Sequence, residues 1–253
     1  MAAAALAQQP GGRGGAAPTG KSVAPIDITG TWESTIVDEW RFRVTPQKGD
    51  IVYLPLNAEA RKVAQAWDPA KDEADGKACK AYGAVGIMQR PGRFRISWQD
   101  DNTLKIETDT GTQTRVIHFE APAADKGQPS WQGYSHGAWA LPNGVLLDTG
   151  GTGLVPGLGG RGGRGGPPKT GTLRVTTTNM LPGYIRKNGV PYSDKAVLTE
   201  HFNLVTGQQG EPYLVMTAFV EDPTYLNQPF IRSYQWKKQN GDAGWDPTPC
   251  LPR

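Results

Sequence analysis

The chain is poor in the residues that metal and thiol chemistry draw on. It holds two cysteines and three histidines in 253 residues. Two cysteines without clustered histidines do not make a zinc site, and no two of His118, His136 and His201 have ligand spacing. No metal and no cofactor is therefore expected. No apolar run approaches the roughly 20 residues that cross a bilayer, so a membrane span is not expected either. The net charge is only +3, much of it in Gly-rich segments. A nucleic-acid partner is not expected on that balance. Hydrophobic residues make up 37%, which disfavours long buried helices.

Glycine (33) and proline (21) are abundant instead. That mix favours many short strands joined by turns. The opening MAAAALAQQP reads as the tail of a secretory signal, with Ala5-Leu6-Ala7 as a small-x-small cleavage site and Gln8 as the mature N-terminus. Secretion or a periplasmic location follows. An exported chain is expected to pair Cys79 with Cys250, the alternative being two buried free thiols. Residues 1–25 are then a signal remnant and a disordered Gly/Pro-rich tail, and residues 26–253 one β domain. The tail contains a formal phosphate-loop match over Gly15–Ser22. A phosphate loop needs a buried strand before it and a helix after it, and the sequence on either side offers neither. Residues 150–171 are low complexity. Arg161 and Arg164 there resemble an RGG segment but read as a flexible insertion.

The rest alternates as strands do. WRFRV places Trp40, Phe42 and Val44 on one side. IMQR, RFRISWQ, TLKIET and TQTRVIHF form a meander separated by turn signals. Asn57–Trp67 is the one clear helix, with Asn57 as its cap and Val63 and Trp67 on one face. Residues 68–82 read as irregular.

Two strands carry polar groups on apolar faces. Arg115 shares its side with Ile117 and Phe119, which makes it either a candidate anchor for an anion or carboxylate or an edge-strand arginine with its head in solvent. Glu200 shares its side with Leu198, Phe202 and Leu204, while His201 faces out. A carboxylate so placed needs a partner such as Arg115, or its pKa rises. Tyr192, His201 and Asp222 lie close by in sequence, so the candidate catalytic set is Glu200, Arg115, Tyr192, Asp222 and His201. In SWQGYSHGAWA, the glycines between Trp131 and Trp139 open space on one face. Trp131, Tyr134, Ser135, Trp139 and Tyr225 are candidate ligand-binding residues.

The segments SWQGYSHGAW, YSDKAVLTEHF and VEDPTYLNQPF resemble those of a large family of exported bacterial proteins with a lipocalin-like (calycin) β-barrel. Members carry segments like PTWxGxSxGxW, HSxxLxxTERY and xxDPxxYxxPW. The chain matches at Trp131, Gly133, Ser135, Gly137 and Trp139, at Ser193, Leu198, Thr199 and Glu200, and at Asp222, Pro223, Tyr225 and Pro229. The likeness spans roughly residues 27–250. It departs where Tyr192 stands for the usual His, where His201 stands for the usual Arg, and at the Gly-rich insertion. The resemblance implies an antiparallel, all-β lipocalin-like barrel, with one short helix and the Gly-rich loop as insertion. Two functions are open on the sequence. One is an interior pocket for a small, partly apolar molecule in a metal-independent lyase, isomerase or hydrolase that uses a carboxylate acid/base. The other is a non-catalytic binding protein.

Overall fold

The computed structural model describes residues 17–44, 46–147 and 169–252. Twelve strands run in the order β1 (Gly30–Thr35), β2 (Arg93–Asp100), β3 (Thr103–Thr108), β4 (Thr114–His118), β5 (Tyr134–Ala140), β6 (Leu146–Leu147), β7 (Thr172–Thr178), β8 (Gly183–Arg186), β9 (Val190–Tyr192), β10 (Val197–Thr206), β11 (Pro212–Glu221) and β12 (Phe230–Lys238). Nine of them close a barrel in the spatial order β4-β3-β2-β1-β12-β11-β10-β7-β5. The last contact, β5 to β4, is the one parallel pairing among these strands, with Ile117 opposite Ser135 and His118 opposite His136. Closure removes the unpaired strand edges that would otherwise invite association. The short β6 pairs outside the ring with β5.

Strict alternation fills the interior. Trp32, Phe94, Ile106, Trp139, Phe202 and Trp236 are all buried. Phe94 and Trp236 meet edge to face at 5.1 Å, and Phe119 stacks on Trp139 at 5.7 Å. Gly137 opens no space between these rings. A Cβ there would stand 2.7 Å from Ile117 and 3.2 Å from Phe119, because β4 side chains already occupy that face.

One barrel end carries a cap built from two excursions. Between β1 and β2 lie α1 (Trp40–Arg43), α2 (Ala58–Ala66), α3 (Pro69–Ala74), a 3₁₀ helix (Ala78–Tyr82) and α4 (Ala84–Ile87). Between β7 and β10 lies the β8–β9 hairpin. Gln89 joins the two by donating from Nε2 to the Ile185 carbonyl at 2.7 Å. The α2 helix starts as its sequence expects, with Asn57 accepting from the Ala60 N–H at 2.9 Å. Asp68 then caps α3 by accepting from Ala70 N–H at 3.0 Å, with Pro69 at the first helical position.

Four expectations change. WRFRV is a helical turn, not a strand. Glu39 sits in the left-handed region at φ 49° and redirects the chain, so the neighbours Phe42 and Arg43 are both buried while Trp40 is 64% exposed. Period-2 alternation over five residues does not separate a strand from one helical turn. IMQR is not a strand either: Ile87 ends the buried helical turn α4, and residues 88–90 form the turn that follows it. Residues 68–82 are largely helical as well. Finally, residues 17–25 are packed, not disordered. The turn at Gly20 closes the other barrel end, where Trp139 Nε1 donates to the Gly20 carbonyl at 2.7 Å. Only glycine fits there, since a Cβ would lie 2.4 Å from Phe119 Cγ. Gly15, Ala5–Ala7, Gln8, Arg161 and Arg164 lie outside the described residues.

Cys79 and Cys250 are disulfide-bonded, with Cα atoms 5.1 Å apart. No helix among the described residues is long and apolar enough to cross a membrane.

Candidate functional site

Arg115 and Glu200 meet inside the barrel. They project from β4 and β10, with β5 and β7 between them in the ring. Arg115 Nη1 donates to Glu200 Oε1 at 3.0 Å, and Nη2 pairs with Oε2. Arg115 Nε donates to Ser135 Oγ at 3.0 Å, and Nη2 also donates to Thr177 Oγ1 at 2.6 Å. The two hydroxyls bond each other at 2.8 Å. Glu200, Ser135 and Thr177 are 0% exposed and Arg115 is 3% exposed. The result is a bidentate buried ion pair whose guanidinium nitrogens and carboxylate oxygens all have partners. Both carboxylate oxygens of Glu200 are engaged by the guanidinium.

The other candidates lie elsewhere. Tyr192 is buried in β9 of the cap, and its hydroxyl has no hydrogen-bond partner among the described residues. Gly83 and Gly183 flank it so closely that a Cβ at either would stand 2.5 Å from that oxygen. Burial pushes its pKa well above the usual phenol range. Asp222 accepts from the Ser193 N–H at 2.6 Å, from Ser193 Oγ at 2.8 Å and from the Thr224 N–H at 2.9 Å. It organises the turn that follows β11. His201 faces outward on β10, edge to face with Phe219 at 5.7 Å.

The predicted ligand wall is also dispersed. Trp131 precedes β5 and donates from Nε1 to the Pro182 carbonyl at 3.2 Å. Tyr134 lies outside the barrel, stacked on His118 at 5.2 Å. Trp139 is core, and Tyr225 packs against the core below α2, its carbonyl accepting from Asn57 N–H at 3.0 Å. Of the ten predicted site residues, then, the structure unites Arg115, Ser135 and Glu200. Thr177 completes their network and was missed, although the parity of LRVTTT puts it with Leu173 and Val175.

The outward histidines give a pH prediction. Burial lowers the pKa of His201, and Arg174 lowers it further; burial likewise lowers that of His136. A depressed folded-state pKa means the unfolded chain binds protons more readily. The stability these neutral rings retain is present above the ordinary histidine pKa, near 6.5, and is lost as pH falls through the folded values. The melting temperature of the wild type is expected to fall more between pH 7 and pH 5 than that of a His136→Gln/His201→Gln variant. Equal falls in the two proteins would refute the assignment.

Among the described residues, large side chains fill much of the barrel interior. A cavity beside Arg90, Phe94 and Trp236 has about 10 Å³, space for a single water. Space on the scale of a small molecule is found at the surface, in a groove of about 370 Å³ beside Ala24, Pro25, Ile26 and Trp98 and, larger, on the cap. A cleft of about 570 Å³ runs between the loop after α1, the α2–α3 junction and the β8–β9 turn. Val44, Pro46, Lys48, Trp67, Pro69 and Lys187 form its walls. Trp67 is the last residue of the α2 turn and rests on Gly189, where a Cβ would fall 2.1 Å from the indole Cγ. The Trp67 Nε1–H is buried without a partner among the described residues. Beside the cleft, Asn188 ties the 46–50 loop down by donating from Nδ2 to the carbonyls of Gln47 and Asp50, each at 2.9 Å. A further hollow, about 620 Å³, opens at the other barrel end among Asp100, Asp101, Asn102, Thr103, His118 and Glu120. Its lining has no aliphatic side chain to bury an apolar ligand.

No family model, curated protein or solved structure matches the chain.

Proposed function

We propose that this chain is a non-catalytic barrel protein of the exported, lipocalin-like kind that binds a small, partly apolar molecule, and that the molecule sits in the cap cleft. The observation that carries the reading is the Trp67-walled cleft itself. Its volume falls in the range of small-molecule sites, and it combines apolar walls with a few polar groups, as such sites do. The disulfide fits an oxidising compartment.

The engagement of the acid/base candidates supports binding over catalysis. Glu200 is held by Arg115, Asp222 by its turn, and the Tyr192 hydroxyl is enclosed between glycines. A proton-transfer mechanism needs one of these groups within hydrogen-bond reach of a substrate. The side chains packed inside the barrel favour its capped end over its interior as the pocket.

The test is a ligand-observed NMR screen of the full chain, followed by titration of the hits. Ala66 lines the cleft from the exposed C-terminal end of α2. Ala66→Trp should fill the cleft without disturbing the core. Hits are expected to bind this variant at least tenfold more weakly, with its melting temperature unchanged. Hits that bind both proteins alike would move the site elsewhere. Turnover of any hit by the wild type would defeat the non-catalytic reading.

A further inference from the structure

The cap concentrates positive charge that its own acids do not balance. Arg43, Arg90 and Arg186 are buried, Arg186 to 1% exposure. Among the described residues, none of the three has a carboxylate within ion-pair distance. The nearest acids face other arginines at closer range: Glu39 holds Arg232 Nε at 2.9 Å, and Asp50, buried with neither carboxylate oxygen hydrogen-bonded among the described residues, stands 2.8 Å from Arg41 Nε, so both offset the buried arginines only at longer range. The buried guanidiniums lean on neutral groups instead. Arg43 Nε donates to the Gln89 carbonyl at 3.1 Å and stands 5.0 Å from the Tyr234 ring centre. Arg186 Nη1 donates to the Val52 carbonyl at 3.1 Å and lies 4.2 Å over Phe42. Arg43 Nη2, Arg90 Nε and Arg186 Nη2 are buried with no hydrogen-bond partner among the described residues. Burial pulls the pKa of each arginine down, that of Arg90 to about 10.

Two of these arginines adjoin the cleft along the chain. Val44 and Lys187, two of its wall residues, each follow one of these arginines in sequence. The cleft adds Lys48, which forms no ion pair among the described residues, and the Lys187 ammonium stands 5.5 Å from the Tyr82 ring. The single carboxylate in the wall, Asp68, spends Oδ1 on capping α3. Charges of one sign behind low-dielectric walls focus their field into a cleft and concentrate ions of the opposite sign there.

We propose that the cap cleft selects a small organic anion, an acid group carried on an apolar or aromatic body. Val44, Pro46, Trp67 and Pro69 receive the body, and the field of Lys48, Lys187, Arg43 and Arg186 holds the acid. The proposal rests on the reading of the cap cleft as the ligand site, and the experiment separates the two.

The probes are 1-anilinonaphthalene-8-sulfonate and N-phenyl-1-naphthylamine, which share a ring system and differ by the sulfonate. Fluorescence titration of the full, disulfide-bonded chain is expected to show at least tenfold tighter binding of the sulfonate at low salt. That advantage should shrink as salt rises. Lys48→Glu, an exposed change, should weaken the sulfonate at least threefold more than it weakens the neutral amine. Equal affinity for both probes, or a Lys48→Glu effect on the sulfonate no larger than that on the amine, overturns the anion proposal while Ala66→Trp still blocks both and the cleft stands. If neither probe binds, or Ala66→Trp changes neither, the cleft reading falls and the anion proposal with it.

Discussion

Glu200→Gln is expected to cost the folded state about 3–5 kcal/mol, measured as a shift in the urea midpoint at constant slope. The reason is the state of the group left behind. Arg115 stays buried among Ile117, Phe119 and the β5–β7 wall, and it loses the only carboxylate that pairs with it among the described residues. One amide oxygen replaces two charged acceptors. A charge already out of water then has no counter-charge, and that penalty exceeds what the pair contributes over a neutral filling.

The double variant Arg115→Met/Glu200→Leu sharpens the test. It removes both charges together and fills the space with apolar atoms. Ser135 and Thr177 retain the 2.8 Å hydrogen bond between them, so no hydroxyl is stranded. Most of the stability lost in Glu200→Gln is expected to return, leaving the double variant within about 2 kcal/mol of wild type. If Glu200→Gln matches the wild type within about 1 kcal/mol, the pair is not structural. The carboxylate would then need another account, and proton transfer would be the first to examine.

The pairing of these two residues was legible in the sequence because strand parity is a strong constraint. Arg115 alternates with Thr114 and Val116, and Glu200 with Thr199 and His201, so each had to face the core in any register that buried its apolar neighbours. An isolated charge on such a face requires an opposite one. What parity does not encode is free volume. The glycines near Trp131 and Trp139 suggested an opening, yet the space beside Gly137 is taken by Ile117 of β4 and by Phe119 just after it. That parallel contact joins segments separated by a polar loop, and alternation within either strand is silent about it.

The cap was the least legible part, for a related reason. Apart from α2, its helical pieces span four to six residues, too few for an apolar pattern to carry a period. Phe42 beside Arg43 and the unbroken run from Ala84 to Ile87 fit a strand as well as a helix. The cleft is further removed still. It is made where Val44 and residues 46–48 meet Trp67 and Lys187, segments brought together by Asn188 and Gly189 at the tip of the β8–β9 hairpin. Trp67 reads in the sequence as one more apolar helix residue. Only the tertiary arrangement makes it a wall.

Loss of the Cys79–Cys250 bond is expected to have the other large effect. The bond closes a loop of 171 residues, and the chain-entropy relation gives about 5 kcal/mol for a loop of that length. The tail it anchors makes its own contacts along the barrel. Arg95 pairs with Asp242 at 2.8 Å and lies 3.7 Å over the Trp245 ring. Thr248 N–H donates to the Asp109 carbonyl at 3.0 Å, and Tyr82 Oη donates to the Leu251 carbonyl at 3.2 Å. Those contacts persist in a reduced native state, so the cost falls on the denatured side, where the free chain gains conformations. Cys79→Ser/Cys250→Ser should therefore lower stability by about 3–5 kcal/mol while keeping the native fluorescence spectrum. Deleting residues 240–253 from Cys79→Ser should cost more again, because it removes the tail contacts as well. If the deletion and the double serine variant lose the same amount, the tail contributes only through its cross-link. If the double serine variant loses less than about 1 kcal/mol, the denatured ensemble already holds the cap and the C-terminus together, and the entropic account of this bond is wrong.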